Sequence, residues 1–256
     1  MKQSIKILAI GNSFSVDGME YLWHTLRAGG LEEVTLGNLY IPGCPVSLHA
    51  DNIASDAHTY VYYKNTDGTW RAAPEASLTD GLLDEEWDVI TLQQASHDSG
   101  LPETYARQNE VIAYINTYKR NPAATLYWHM TWAYQSDSDH WAFPRYNSDQ
   151  ATMYHAIVNA VQTQILPNPA YTGVIPTGVA IQSLRATPVG DTVTRDGFHM
   201  SESHGRYTAA LTWAQTLCGV DPDTVDWMPE AFADAIRPDL AYIREAVKKA
   251  GTTPLV

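Results

Sequence analysis

Three residues near opposite ends of the chain have the types that nucleophilic catalysis needs. Ser13 follows Gly11-Asn12 directly after an apolar run, and Asp196 and His199 stand three apart in Asp196-Gly197-Phe198-His199. A serine hydroxyl is a weak nucleophile until a base takes its proton, and an imidazole base works best when a carboxylate fixes its tautomer. In a loop entering a helix, residues three apart can face the same way. Asp196 would then hold the His199 ring while the other ring nitrogen reaches Ser13. The order Ser, Asp, His along the chain is one that such triads use. Each piece also has a plainer reading. Ser13 would serve as a helix N-cap, Asp196 as a cap, and His199 as a surface residue before the next helix.

The elements that must position these groups can be read from periodicity. Ile5-Lys6-Ile7-Leu8-Ala9-Ile10 is apolar and β-branched, stops at Gly11-Asn12-Ser13, and is followed by an amphipathic segment. That is a buried strand, a tight turn and a helix. Ser13 then lies at the carboxyl end of a strand, the edge where open α/β sheets bind ligands. A second strand over 34–41 ends in Pro42-Gly43, and a third over 87–92 runs into Gln93-Gln94. A fourth over 125–130 leads to Trp132 and Tyr134, and a short fifth covers 173–176. Helical spacing marks 19–28, 49–57, 103–118, 150–165, 177–184, 203–217 and 229–250, the last broken at Pro238. Aromatic runs at Tyr60–Lys64 and Thr69–Arg71 flank Asn65-Thr66-Asp67-Gly68, the pattern of a β-hairpin. It falls outside the alternation, so it reads as an insertion over 58–73, placed to act as a flap. The alternation predicts one α/β domain over 1–256, with a mainly parallel five-stranded sheet covered on both faces and a helical extension over 222–256. A parallel sheet brings its carboxyl ends to one edge, so the polar clusters at 11–13, 42–43, 93–94 and 196–199 can converge.

Composition narrows the partners. The 256 residues carry 29 acidic and 16 basic side chains, a net charge of −13. Such a surface repels nucleic-acid phosphates and anionic membranes. No stretch approaches the length of a membrane span. The chain reads as soluble, cytoplasmic as it stands, and secreted or periplasmic if a signal peptide has been removed. Cys44 and Cys218 form neither a disulfide framework nor a zinc pattern and read as free thiols. His97, Asp98, Asp137, Asp139 and His140 match no metal-ligand spacing, so no metal and no cofactor is expected. His24, His129 and His155 read as structural. Eight Trp and fifteen Tyr suit either core packing or platforms for sugar rings. Trp132 and Tyr134, after a strand end, are candidate substrate contacts, together with Asn12 and Gln93.

Gly11-Asn12-Ser13-Phe14-Ser15 and Asp196-Gly197-Phe198-His199 resemble the first and last blocks of the SGNH (GDSL-like) hydrolases. Gly43 is similar to the second block, and Gln93-Gln94 stands where the third, Gly-x-Asn-Asp, would be. With Leu92-Gln93-Gln94 and His129-Met130-Thr131-Trp132, the set resembles an uncharacterised, sugar-associated bacterial subgroup. The likeness covers residues 5–215. It implies a three-layer α/β/α fold with a flavodoxin-like sheet, and ester hydrolysis through an acyl-enzyme. Ser13 would attack, His199 would act as base and then acid, and Asp196 would orient the ring. The Ser13 and Gly43 backbone N–H groups would hold the oxyanion. Two departures stand out. Asn12 replaces an Asp, and Gly-x-Asn-Asp is absent. Gln94, with the same amide on a longer arm, is the expected third oxyanion donor. Gln93 is the alternative, because a one-residue slip at a strand end turns the side chain to the other face. The implied substrate is a small-molecule or glycan ester, with acetyl on a carbohydrate as the first expectation. A lipase or thioesterase would call for a long apolar lid, and none is visible. The rival from another class is a non-catalytic carbohydrate-binding protein on the same fold.

Overall fold

The structure, a computed structural model, describes residues 3–253. Its central strand is β1 (Ser4–Gly11), where Ile5, Ile7, Leu8, Ala9 and Ile10 are all buried. A parallel strand covered on both faces needs that unbroken apolar run. The other strands are β2 (Glu33–Tyr40), β3 (Tyr60–Asn65), β4 (Arg71–Ala76), β5 (Val89–Leu92), β6 (Thr125–His129) and β7 (Gly173–Ile175). They form a sheet of order β4-β3-β2-β1-β5-β6-β7, with β2, β1, β5, β6 and β7 mutually parallel.

The sheet therefore has seven strands rather than five. The difference is the hairpin, which does not stand apart as an insertion. β3 pairs antiparallel along β2, Leu36 opposite Asn65 through Tyr40 opposite Val61. An uncovered β2 edge would leave a row of backbone groups unpaired. Tyr60 and Tyr62 supply the buried face that docks the hairpin there.

Helices α1 (Ser13–Met19), α2 (Leu22–Ala28), α3 (Val46–Ser55), α4 (Leu78–Asp84), α5 (Gln108–Tyr118), α6 (Gln150–Ala160), α7 (Thr177–Arg185), α8 (His204–Cys218), α9 (Ala233–Ile236) and α10 (Leu240–Thr252) complete the layers. On one face α1, α2, α7 and α10 pack around α8; on the other α3 and α4 pack against α5. The result is an α/β three-layer fold with a mainly parallel sheet. Helix ends differ from the periodic expectation in several places: the break between α1 and α2 falls inside 19–28, and 229–250 comprises two 3₁₀ turns, α9 and α10. Residues 103–118 divide into a 3₁₀ turn (Pro102–Tyr105) and α5, and α6 continues as a π turn over Val161–Ile165. Among the described residues no helix is long and apolar enough to cross a membrane, and no group of His, Cys, Asp and Glu could hold a metal ion.

Strand register decides where the turns lie. Gly11 stands opposite Tyr40, Ile10 opposite Leu92, Leu92 opposite Trp128 and His129 opposite Ile175. The five parallel strands thus end level, and the turns after them share one edge.

Two histidines are buried in this framework. The His49 Nδ1 lies 2.8 Å from the Tyr60 hydroxyl, and His129 is held between Gln93 Oε1 (3.0 Å) and Thr177 Oγ1 (3.1 Å). Burial pushes their pKa values down to about 4 and about 3. In the unfolded chain each takes up a proton near pH 6.5. A depressed folded pKa gives stability that is present above the unfolded value and lost as pH falls toward the folded one. Below pH 6.5 each histidine should therefore cost up to about 1.4 kcal/mol per pH unit. Glu20, whose carboxyl burial raises, works the other way, as one group against two. The midpoint of thermal unfolding should fall between pH 6.5 and pH 5, above the range of ordinary carboxylates. A midpoint that stays flat over that interval would contradict this account.

Candidate active site

Ser13 is the first residue of α1, and the cap is its neighbour. Asn12 accepts the Phe14 backbone N–H at 3.0 Å through Oδ1. The same oxygen accepts Gln93 Nε2 at 2.7 Å, while Asn12 Nδ2 donates to the Cys44 carbonyl at 3.1 Å. One buried amide thus ties together the turns after β1, β2 and β5 and starts α1. Because Asn12 caps the helix, the Ser13 hydroxyl is left for another partner.

That partner is His199. Its Nε2 lies 2.8 Å from Ser13 Oγ, and its Nδ1 lies 2.6 Å from Asp196 Oδ2. Asp196 Oδ1 also accepts the backbone N–H groups of His199 (2.7 Å) and Phe198 (3.2 Å). Burial pushes the Asp196 carboxyl up, but the His199 ring and these N–H groups outweigh it and hold the group below its usual value. Asp196 is therefore a carboxylate at neutral pH, facing the ring nitrogen that must keep its hydrogen. A hydroxyl, an imidazole and a carboxylate in this chain can move a proton off an attacking oxygen.

The loop that carries the pair is tightly closed. Arg195 N donates to His199 O at 2.9 Å, Ser201 N to Val193 O at 2.8 Å, and Thr194 bridges Met200. At its tip Gly197 has φ +86°, a conformation that a side chain would strain, and a Cβ there would press on Ser138. Two further bonds hold the tip from below: Gln135 N to Gly197 O (2.7 Å) and Trp132 Nε1 to Phe198 O (2.7 Å).

The loop is anchored to α1 by Asp17, whose side chain is wholly buried. It accepts Met200 N at 2.8 Å, Arg206 Nε at 2.8 Å and Arg195 Nη1 at 2.9 Å. Sequence reasoning passed over Asp17. The usable signal was an acidic residue one turn beyond Ser13 on an otherwise apolar helix face.

Ser13 opens into a cleft of about 510 Å³. Gly43 lies on its wall with φ +59°, and open space surrounds the position of a Cβ there. Neither the Ser13 nor the Gly43 backbone N–H has a hydrogen-bond partner among the described residues. Of the residues after β5, Ser96 and His97 reach the cleft. The glutamines do not. Gln94 Oε1 accepts Val46 N and Ala95 N, both at 2.9 Å, and its Nε2 donates to the Thr104 carbonyl and hydroxyl. Gln93 is fixed between Asn12 and His129. Both amides are buried, bonded to other groups and absent from the cleft lining, so the expected third oxyanion donor is not at Gln94, nor at Gln93.

The other candidate contacts are corrected in the same way. Trp132 is buried and stacks on Phe14 at 4.2 Å, behind Ser13 rather than in front of it. Tyr134 is buried, and its hydroxyl lies 2.9 Å from Ser96 Oγ, so it backs the cleft wall. Asn12 reaches the cleft floor with its amide already engaged. The aromatic lining comes instead from Tyr40, Tyr63, Trp141 and Phe198. Trp141 is 65 % exposed and carries the Arg145 guanidinium 4.9 Å from its ring centre. Burial pushes His97 and His140, beside it, below their usual pKa.

This fold, a mainly parallel sheet between helical layers with polar turns along one edge, is that of the SGNH hydrolases. A putative SGNH hydrolase from Slackia heliotrinireducens matches at TM-score 0.54 and 18 % identity, over 84 % of this chain and 99 % of that one. A lipase/acylhydrolase from Enterococcus faecalis matches at TM-score 0.54 and 15 % identity, over 84 % and 96 %. Within that fold the chain belongs to the family described as a domain of unknown function, DUF4886, which matches residues 6–242. A DUF4886 protein from Bacteroides uniformis is 36 % identical, with TM-score 0.92 over 99 % of this chain and 96 % of its own. No curated protein matches the chain.

The Asp17 contacts lead to a direct test. Asp17→Ala leaves Arg206 (15 % exposed) facing a hole where its carboxylate stood. Unfolding in urea should show a loss of about 3 kcal/mol, the lower end for breaking a buried pair because Arg195 is partly solvated. A loss under about 1 kcal/mol would show that the anchor is dispensable.

Proposed function

We propose that the protein is a serine ester hydrolase that removes a small acyl group, acetyl first, from a carbohydrate. The observation that carries the reading is the unbroken chain from Ser13 Oγ through His199 to Asp196, at 2.8 and 2.6 Å. In the first half-reaction Ser13 Oγ attacks the ester carbonyl and its proton passes to His199 Nε2. The tetrahedral oxyanion lies against the Ser13 and Gly43 N–H groups. When it collapses, the bond to the alcohol breaks and His199 returns the proton to the leaving oxygen. Water then attacks the acyl-Ser13 ester by the same steps, releasing the acid. Asp196 keeps its charge throughout and stabilises the imidazolium.

Ser96 takes the part of the third oxyanion donor in this reading. Its hydroxyl reaches the cleft from the turn after β5, and the Tyr134 hydroxyl behind it can accept or donate in turn. The lining supports the proposed substrate class. Val16 and Pro42 are the aliphatic residues among the lining groups, and the rest are hydroxyls, imidazoles, one guanidinium and aromatic rings, apart from Asn12 and Gly43. The apolar part of the lining is mostly aromatic rings set among polar groups, which suits a sugar ring better than a long alkyl chain. Phe14 and Trp132, buried and stacked beside Ser13, leave no added room next to the serine, which suits a short acyl group.

Two variants test the reading. Ser13→Ala should lower p-nitrophenyl acetate turnover by at least about 10³-fold with an unchanged circular dichroism spectrum, and should abolish labelling by a fluorophosphonate. Retained turnover or labelling would sink the esterase assignment. Ser96→Ala should lower kcat by about 10²-fold with little change in KM, as loss of a transition-state donor does. An unchanged kcat would remove Ser96 from the oxyanion hole.

A further inference from the structure

Beside the cleft, α1 and the β3–β4 hairpin enclose a second pocket of about 170 Å³. Its walls are Val16, Glu20, Asn38, Tyr63 and Trp70. Val16 and Tyr63 also line the cleft at Ser13, so the two spaces share a wall. The position follows from the sheet. Asn38 of β2 pairs with Tyr63 of β3, and the Tyr40 and Tyr63 rings lie 5.9 Å apart. Trp70 follows at the end of the hairpin turn, its indole N–H 3.5 Å from the Glu20 carbonyl. An aromatic line thus runs from the catalytic cleft to the side pocket.

Part of the polar surface here is not used by the fold. The Glu20 carboxylate is partly buried and makes no hydrogen bond or ion pair among the described residues; Arg206 acts on it as a nearby charge. Asn38 Oδ1 takes the Ser15 hydroxyl at 2.9 Å, which turns its NH₂ group away from that contact. A carboxylate acceptor, an amide donor and two flat apolar faces suit a ring that has both hydroxyls and C–H faces. A cation is less suited, since the Arg206 charge already faces Glu20. The volume admits one ring and not an extended chain.

We propose that this pocket is a subsite for the alcohol side of the ester, taking one neutral sugar ring whose acylated oxygen reaches Ser13. The inference rests on the esterase reading of Ser13. Glu20 accepts hydroxyl hydrogens, Asn38 donates to a ring or hydroxyl oxygen, and Trp70 and Tyr63 receive the C–H faces. The hairpin that completes the seven-stranded sheet is then the element that selects the leaving group.

The test compares two esters in wild type, Glu20→Gln and Trp70→Ala. The probes are p-nitrophenyl acetate and a mono-acetylated methyl pyranoside. In each variant the ratio of kcat/KM for the sugar ester to that for p-nitrophenyl acetate should fall at least tenfold, chiefly through KM. A ratio unchanged in both variants would overturn the subsite while leaving the esterase reading intact. A wild-type preference for the acetyl ester of a quaternary-ammonium alcohol, lost in Glu20→Gln, would overturn the neutral-ring assignment. Saturation-transfer NMR with an unacylated methyl pyranoside needs no turnover and separates the two ideas. Signal is expected with wild type and with Ser13→Ala, weakened by Trp70→Ala. Equal signal in all three proteins would overturn the subsite even if the enzyme proved inactive on both esters.

Discussion

A carboxylate with no exposed surface has to be matched on every side, and Asp17 is matched by a backbone N–H and two guanidinium groups. The match matters because of what it joins. Asp17 sits one turn after Ser13 on α1, whereas Met200, Arg195 and Arg206 frame the loop that carries Asp196 and His199. Among the described residues, no strand pairing fixes that loop to the sheet. Its relation to Ser13 is set largely by a charged contact across more than 170 residues of sequence, with the Gln135 and Trp132 bonds holding its tip. A misplacement of about an ångström would cost the Ser13–His199 hydrogen bond on which the proposed reaction depends. A buried ion pair is a doubtful source of net stability. As a fixer of register between two elements it is well suited, because an uncompensated charge would make every alternative docking costly.

The Asn12 amide has the corresponding role on the sheet side. It caps α1, holds the Cys44 carbonyl and receives the Gln93 amide. The Cys44 bond fixes the turn in which Gly43 presents its N–H, and the Gln93 bond continues to His129 and Thr177. Five strand ends are linked in this way, four through side chains bonded to one another and the one after β2 through the Cys44 carbonyl. The neutral state of His129 is part of the same network, because a charged ring could not accept from Thr177 or sit unsolvated among these amides.

Much of this was legible in the sequence, for identifiable reasons. The parallel strands announce themselves as apolar runs, and the rule that strand ends share an edge brings Ser13 and Gly43 together from the sequence alone; the Asp196–His199 loop follows α7 rather than a strand, so that rule does not reach it. The hairpin was recognised by its turn chemistry, yet its docking on β2 was not, since turn residues say nothing about which edge a ribbon joins. The glutamines failed for a sharper reason. Gln93 and Gln94 are both turned inward, to different networks, so the choice between them rested on a false premise. Ser96 gives no pattern in a sequence; its place in the cleft lining is what makes it the proposed donor. Trp132 and Tyr134 follow a strand end, as ligand-facing residues often do, but their size made them fillers of the layer behind the serine. The Asp17 contact spans the chain, and pairings of that separation leave no local signature.

The electrostatics of the cleft fit the chemistry assigned to it. His97 and His140 line the same space as His199, and three imidazoles in one cleft could compete for protons. Burial depresses His140 first, and the charges of His97 and His199 depress it further. In the proposed reaction His199 takes the Ser13 proton, and the charge it gains disfavours a proton on His140, so the other cation lining the cleft is the Arg195 guanidinium, which is paired with Asp17. His97 is likewise lowered by burial, against the pull of Asp98. The negative charge facing the imidazolium is Asp196, fixed by two backbone N–H groups and kept ionised by the ring and by them. Neutral imidazoles can then act as hydrogen-bond partners for an uncharged substrate without disturbing the base. In the reaction proposed here, an ester of a neutral alcohol would bring no charge of its own to that balance.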